Sequence, residues 1–328
     1  MLIESYIPSA TVPSLVGIAR LAAESPVISA KRQVEYRSLE SRSVLNRCSN
    51  PRMPFSWTIN PYRGCEIGCR YCYARYTHEF MGMEDGKLFE TRIYAKSEAA
   101  ALLRRDLRRP IAGAIAMGTS TDPYQPAEKK FLVTRELFEV FAEGSGRELS
   151  ITTKGDGVVR DLDLLQAISQ RNRLSVNITI TTVDADLARL LEPLAPRPDL
   201  RLAALSALAD AGIQTGVFAS PILPWITDAT GQLEDLGRAA QDAGARYLTG
   251  GTLFLKDSAR QEFFPLLRDH FPHLVSDYER LYRWDAYPKG GRVERIERTL
   301  REVRERFGLR AAAVFAGPLI NSQLSLFD

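Results

Sequence analysis

From about residue 56 onward, short apolar runs alternate with longer stretches whose apolar residues recur every three or four positions. The runs 57–60, 114–117, 149–153, 174–181, 214–220 and 246–250 predict six strands. Between them the periodic stretches 97–108, 132–143, 161–169, 185–191 and 201–211 predict helices. Strand followed by helix, repeated six times, predicts an α/β fold with a parallel sheet partly closed into a TIM-like (β/α)6 barrel over residues 51–256. Residues 1–50 read as a polar N-terminal extension with one amphipathic stretch near Leu15 to Ala23. Residues 257–310 read as a helical C-terminal region and 311–328 as a flexible tail. In the helical region Phe263, Phe264, Leu267, Phe271 and Leu274 form an apolar face. Residues 292–310 place Arg292, Arg295, Arg298, Arg301 and Arg304 at every third position among glutamates, the pattern of a solvated, salt-bridged helix.

Composition narrows the classes. Of the 328 residues, 45% are apolar and 25% charged, the profile of a folded globular chain rather than a disordered one. The net charge of +3 predicts no basic surface over the whole molecule, so any nucleic-acid footprint has to be local. No apolar stretch approaches a membrane span, and Glu4, Pro8 and Pro13 interrupt any secretory signal, so the expected location is cytoplasmic with no membrane partner. Four cysteines in such a compartment read as ligands or core residues, not as disulfides.

Three of them cluster. Cys65, Cys69 and Cys72 lie in NPYRGCEIGCRYCYARYTHEF, directly after the first predicted barrel strand. Loops at that end of a barrel strand are where such folds hold their chemistry. Three thiolates at this spacing suit three irons of a 4Fe–4S cube, leaving the fourth iron open to an external ligand. A tetrahedral zinc site drawing on the same cysteines and His78 is the alternative.

The Cys-x3-Cys-x-aromatic-Cys spacing, with Tyr71 at the aromatic position, resembles the radical S-adenosylmethionine (SAM) superfamily. That resemblance implies SAM bound on the open iron and cleaved to methionine and a 5′-deoxyadenosyl radical. It also implies an electron donor such as a reductase, flavodoxin or ferredoxin. The wider blocks GTSTDPYQPAEKK, ITTKGDGVVRDLDLL, LEPLAPRPDLRLAALSALADAGI and SPILP are similar to the branch containing spore photoproduct lyase and DNA repair photolyase-like proteins. By that resemblance the segment from Gly118 to Asp122, with Thr119 and Asp122, takes the SAM amino group. Lys154 pairs with the SAM carboxylate, and Asn177 and Thr179 meet the ribose hydroxyls. Tyr73 and Thr119 are the catalytic candidates, with Tyr62 and Tyr76 as further redox relays. The lyase's hydrogen-returning Cys is absent from the 118–122 segment, and Cys48 is the one spare thiol.

The resemblance implies a DNA substrate and repair-like, lyase-like chemistry. A peptide or small-metabolite substrate remains an alternative, as does a non-enzymatic zinc adaptor. The tail from Gln323 to Phe327 resembles the peptide by which bacterial repair proteins bind the sliding clamp, with Leu324, Leu326 and Phe327 as apolar anchors.

Overall fold

The computed structural model describes residues 15–31, 33–51, 53–83 and 85–313. The tail motif 323–327 lies outside them. Eleven strands are present among the described residues: β1 (Val27–Lys31), β2 (Val34–Leu39), β3 (Leu45–Arg47), β4 (Trp57–Ile59), β5 (Tyr62–Arg63), β6 (Arg92–Lys96), β7 (Ile115–Met117), β8 (Glu148–Thr153), β9 (Arg173–Thr179), β10 (Gln214–Ile222) and β11 (Leu248–Thr252). The main sheet runs β3-β4-β7-β8-β9-β10-β11. Every neighbouring pair from β4 to β11 is parallel, and β3 closes one edge antiparallel to β4. The six predicted strands are therefore the six parallel strands of a partial barrel.

Parallel strands are covered on both faces, which is why β9 reads as a nearly continuous buried run from Leu174 to Thr179. The helices Val133–Glu143, Leu162–Arg171, Pro198–Asp210 and Thr230–Asp242 return the chain between successive strands. Their starts follow local chemistry. Asp184 caps the helix Ala185–Leu191 by accepting from the N–H groups of Asp186 and Leu187, and Pro198 opens Pro198–Asp210 at a position where no N–H is needed. Because all six strands point the same way, their C-terminal ends form one rim.

Two regions differ from the sequence reading. The N-terminal extension is woven into the body: β2 pairs parallel with β6 in a second sheet ordered β1-β2-β6-β5, and β3 joins the main sheet. The arginine-rich segment forms the helix Gly291–Arg306, and it is not simply solvated. Ile296, Thr299, Leu300 and Val303 are buried against β11 and Thr230–Asp242, which makes it the sixth covering helix of the barrel. Gly237 permits that approach, since a Cβ there would stand 2.4 Å from Val303 Cγ1.

The helices Asp257–His270 and Val275–Leu281 do a different job. Phe263, Leu267 and Tyr278 form a separate apolar core with Ile67, Tyr71 and two cysteines of the loop after β4. The helical region thus roofs the cysteine loop. No described helix is long and apolar enough to cross a membrane.

Candidate active site

After β4 the chain makes a loop that is pinned at several points before it reaches β6. Gln125, fully buried, donates to Gly64 O at 3.0 Å and accepts from Glu66 N at 3.1 Å, clamping the backbone on both sides of Cys65. Cys65 N donates to Phe89 O at 2.8 Å, and Arg70 N to Leu191 O at 2.9 Å. Arg75 is 1% exposed; its guanidinium donates to Cys69 O and pairs with Glu90. A buried guanidinium held by a carboxylate and backbone carbonyls is a rigid strut, so the three thiols sit on a fixed frame.

The facing wall comes from the ends of β7, β8 and β9. Gly118 adopts φ +86°, and a Cβ there would fall 2.2 Å from Thr152 O, so only glycine lets the turn after β7 pack on β8. Asn60, just past β4, holds that turn: its amide donates to Thr119 Oγ1 at 3.1 Å and its carbonyl accepts from the N–H groups of Ser120 and Thr121. One cleft is bounded by Cys65, Cys69 and Cys72 on one side and by Gly118, Thr119, Asp122, Lys154 and Thr179 on the other. Tyr73 lines it too, 40% exposed, with its hydroxyl donating to Thr119 O.

Beneath the cleft lies a buried charge network. Glu192 Oε2 stands 2.5 Å from Arg201 Nη1, and Lys154 Nζ is 3.9 Å from Glu192 Oε1. The same carboxylate accepts from the Tyr71 hydroxyl and from Thr181. Burial alone would raise Glu192, but Arg201 and then Lys154 outweigh it and hold its carboxyl below the ordinary value. Burial would lower Lys154, yet the negative charge of a Cys69 thiolate, together with that of Glu192, outweighs it and favours the ammonium. Lys154 Nζ lies 5.8 Å from the centre of the Tyr71 ring.

The Radical SAM superfamily pattern matches residues 59–236, more than half the chain. The chain belongs to the radical SAM superfamily. An uncharacterised protein of Mycobacterium tuberculosis is 38% identical over 257 residues, 77% of this chain and 75% of the relative. One from Methanocaldococcus jannaschii is 32% identical over 60% of this chain and 71% of its own length. Among solved structures, spore photoproduct lyase complexed with dinucleoside spore photoproduct superposes with a TM-score of 0.60 at 16% identity, covering 83% of this chain and 79% of the lyase. A variant of that lyase with bound AdoMet and dinucleoside spore photoproduct gives 0.60 at 18%, covering 91% and 84%. At such identity the likeness shows the shared fold.

As a radical SAM enzyme the protein takes SAM and a 4Fe–4S cluster as its cofactors. The cleft suits them. Burial pushes the Cys69 thiol up to about 12 and raises Cys65 and Cys72 as well, so these sulfurs are stable as neutral thiols or as iron-bound thiolates but not as free anions. His78, the nitrogen ligand that a zinc site would draw on, is 1% exposed, with Nε2 3.2 Å from Arg92 O and its ring packed against Phe89 and Tyr94.

The structure brings together most of the residues singled out in the sequence, in different parts. Thr119, Lys154 and Thr179 border the cleft. Asp122 borders it with its oxygens already engaged by Tyr124 N, Thr153 Oγ1 and Lys154 N, so it ties the β7 turn to the end of β8. Asn177 is one layer lower, 2% exposed, donating to Ser150 and Ile151 and accepting from the Tyr247 hydroxyl at 2.6 Å. Tyr62 is buried on Glu128 at 2.5 Å. Cys48 follows β3, whose Arg47 pairs with Trp57 at the start of β4, so it sits at the end of the barrel opposite the rim. Glu192, Arg201, Asn60 and Gln125 were missed as site residues. Glu192 and Arg201 stand within the block LEPLAPRPDLR, but nothing in their spacing signals that two charges would be fully buried together.

Proposed function

We propose that Cys65, Cys69 and Cys72 are the three cluster ligands and that SAM lies between them and the rim formed by Gly118, Thr119, Lys154 and Thr179. The observation that carries this reading is the single cleft shared by the three thiols and the ends of β7, β8 and β9. Bound there, the two cofactors supply a 5′-deoxyadenosyl radical. The chain's own residues do the rest. Lys154 offers an ammonium to a carboxylate, with Glu192 and Tyr71 holding it in place. Thr179 offers a hydroxyl from the strand end, and Asp122 positions the backbone between β7 and β8. The helical roof keeps bulk water from the cysteine loop.

The substrate we propose is nucleic acid, acted on in a lesion-repair-like, lyase-like reaction. Support comes from the shared fold with a lyase solved with a dinucleoside photoproduct. Tyr73 is assigned the hydrogen-atom relay, being the exposed phenol of the cleft, and Thr119 positions it through its carbonyl. Cys48 takes no part. The expected setting is cytoplasmic, where the thiols stay reduced and a reductase, flavodoxin or ferredoxin supplies electrons. On sequence alone the segment from Gln323 to Phe327 is proposed to tether the enzyme to a sliding clamp.

The test is anaerobic reconstitution with iron and sulfide, then SAM and a strong reductant, with 5′-deoxyadenosine measured without DNA, with intact DNA and with ultraviolet-irradiated DNA. Product that rises with irradiated DNA supports lesion repair; equal product in all three arms removes DNA as the substrate. Replacing Cys65, Cys69 or Cys72 with Ala should each abolish the cluster's visible absorbance, and full absorbance in any of the three removes that ligand from the set.

A further inference from the structure

Beside the active-site cleft lies a groove with no part in the chemistry above. It encloses about 620 Å³, and Trp225, Trp284 and Tyr287 line it. Trp284 is 86% exposed and Tyr287 51% exposed. Large aromatic surfaces left in water on one face mark a place built to be covered. The wall behind them is firm: Trp225 N donates to Asp228, and Arg292, paired with that aspartate, lies over the Trp225 ring.

Rings connect this groove to the cleft. Tyr287 stacks on Phe254 with centroids 4.2 Å apart, Phe254 meets Tyr73 edge-on at 6.1 Å, and Tyr73 lines the cleft beside the cysteines. Tyr76 continues the series, stacked on Tyr73 at 6.5 Å. Cations lie over both ends: Lys256 Nζ is 4.2 Å from the Tyr76 ring centre, and the Arg283 guanidinium 4.7 Å from that of Trp284. Three acids nearby are matched, Asp277 by Arg280, Asp285 by Lys289 and Asp228 by Arg292, while Asp257 and Glu279 are exposed. Lys256 and Arg283 lie over ring faces and form no ion pair among the described residues, so their remaining donors can turn to an anion.

We propose that this groove binds the unpaired nucleotides that flank the one entering the cleft, with bases stacked on Trp284 and Tyr287 and phosphates on Arg283 and Lys256. The inference rests on the nucleic-acid reading above and adds where and in what form that substrate is held. Every base offers a π-face whatever its identity, so a row of exposed rings takes a single strand without reading its sequence. In a duplex those faces are stacked on each other, so the strand must be open here. An uncharged peptide would gain nothing from the cations over these rings, whereas the phosphates between stacked bases would.

The experiment uses the full-length reconstituted protein and a fluorescein-labelled single-stranded 12-nucleotide oligonucleotide, read by anisotropy. Binding to the Trp284→Ala/Tyr287→Ala double variant should be at least tenfold weaker than to wild type. Arg283→Ala should lessen the slope of log affinity against log salt by about one phosphate contact. Retained cluster absorbance in the variants shows that the fold is intact. As a second readout, the oligonucleotide should quench indole emission in the wild type and much less in Trp284→Phe. Unchanged affinity in the double variant overturns the groove while leaving the nucleic-acid reading intact. If the wild type binds no oligonucleotide saturably, both fail. Equal loss of affinity for an uncharged control peptide assigns the groove to peptides and overturns the proposal.

Discussion

At the residue scale the site is decided by a few side chains whose role depends on burial. Glu192 and Arg201 are both 1% exposed, and each makes the other tolerable inside the protein. Glu192→Gln leaves Arg201 charged and without its partner, and the expected loss is about 3–5 kcal/mol of stability, read as a lower urea midpoint. Adding Arg201→Met should recover part of that loss, because the double variant no longer buries a lone charge. A double variant as unstable as the sum of the singles would show that the pair is not coupled. The cysteines were legible in the sequence, since their spacing alone carries ligand chemistry. The network under Lys154 was not: Glu192 and Arg201 are nine positions apart, and only the fold turns them toward one another. Asn177 and Thr179 read alike because alternate residues of a strand share a face, and depth within the barrel separated them.

At the element scale periodicity carried the barrel and failed at its edges. The six parallel strands each have enough apolar residues and clear turn punctuation to be read. Strands β1, β2, β3 and β5 do not: they are short and polar on at least one face, and the sheet that holds β1, β2 and β5 is completed only by the distant β6. The helix Gly291–Arg306 misled in the opposite sense, because its arginines hid a narrow buried stripe. Leu300, 3% exposed, should therefore behave as a core residue, with Leu300→Ala costing about 2–5 kcal/mol. The neighbouring Arg298 is exposed, and Arg298→Ala should stay within about 0.5 kcal/mol of wild type. Thermal melts of the two variants decide it; equal melting temperatures would place the helix in solvent after all.

At the scale of the whole molecule, the roof over the cysteine loop and the second sheet make stability depend on pH through a residue the chemistry does not use. His78 sits in a polar stretch of sequence, yet packing against Phe89 and Tyr94 buries it completely. Burial, with the nearby Arg63 and Arg92 charges, lowers it from 6.5 to about 4, while its bond to the Arg92 carbonyl opposes that shift. A depressed value means that the unfolded chain takes up this proton first as the pH falls. The contribution is therefore intact above pH 6.5 and lost on acidification toward pH 4, by about 2 kcal/mol at pH 5 and about 3 kcal/mol at pH 4. Carboxylates titrate over the same range, so the quantity to measure is the difference between wild type and His78→Gln, which keeps a donor for the Arg92 carbonyl but has no proton to gain. Urea unfolding at pH 7, 6 and 5 should show wild type losing stability faster than the variant. Parallel losses in the two proteins would mean that His78 is not the residue linking this fold to pH.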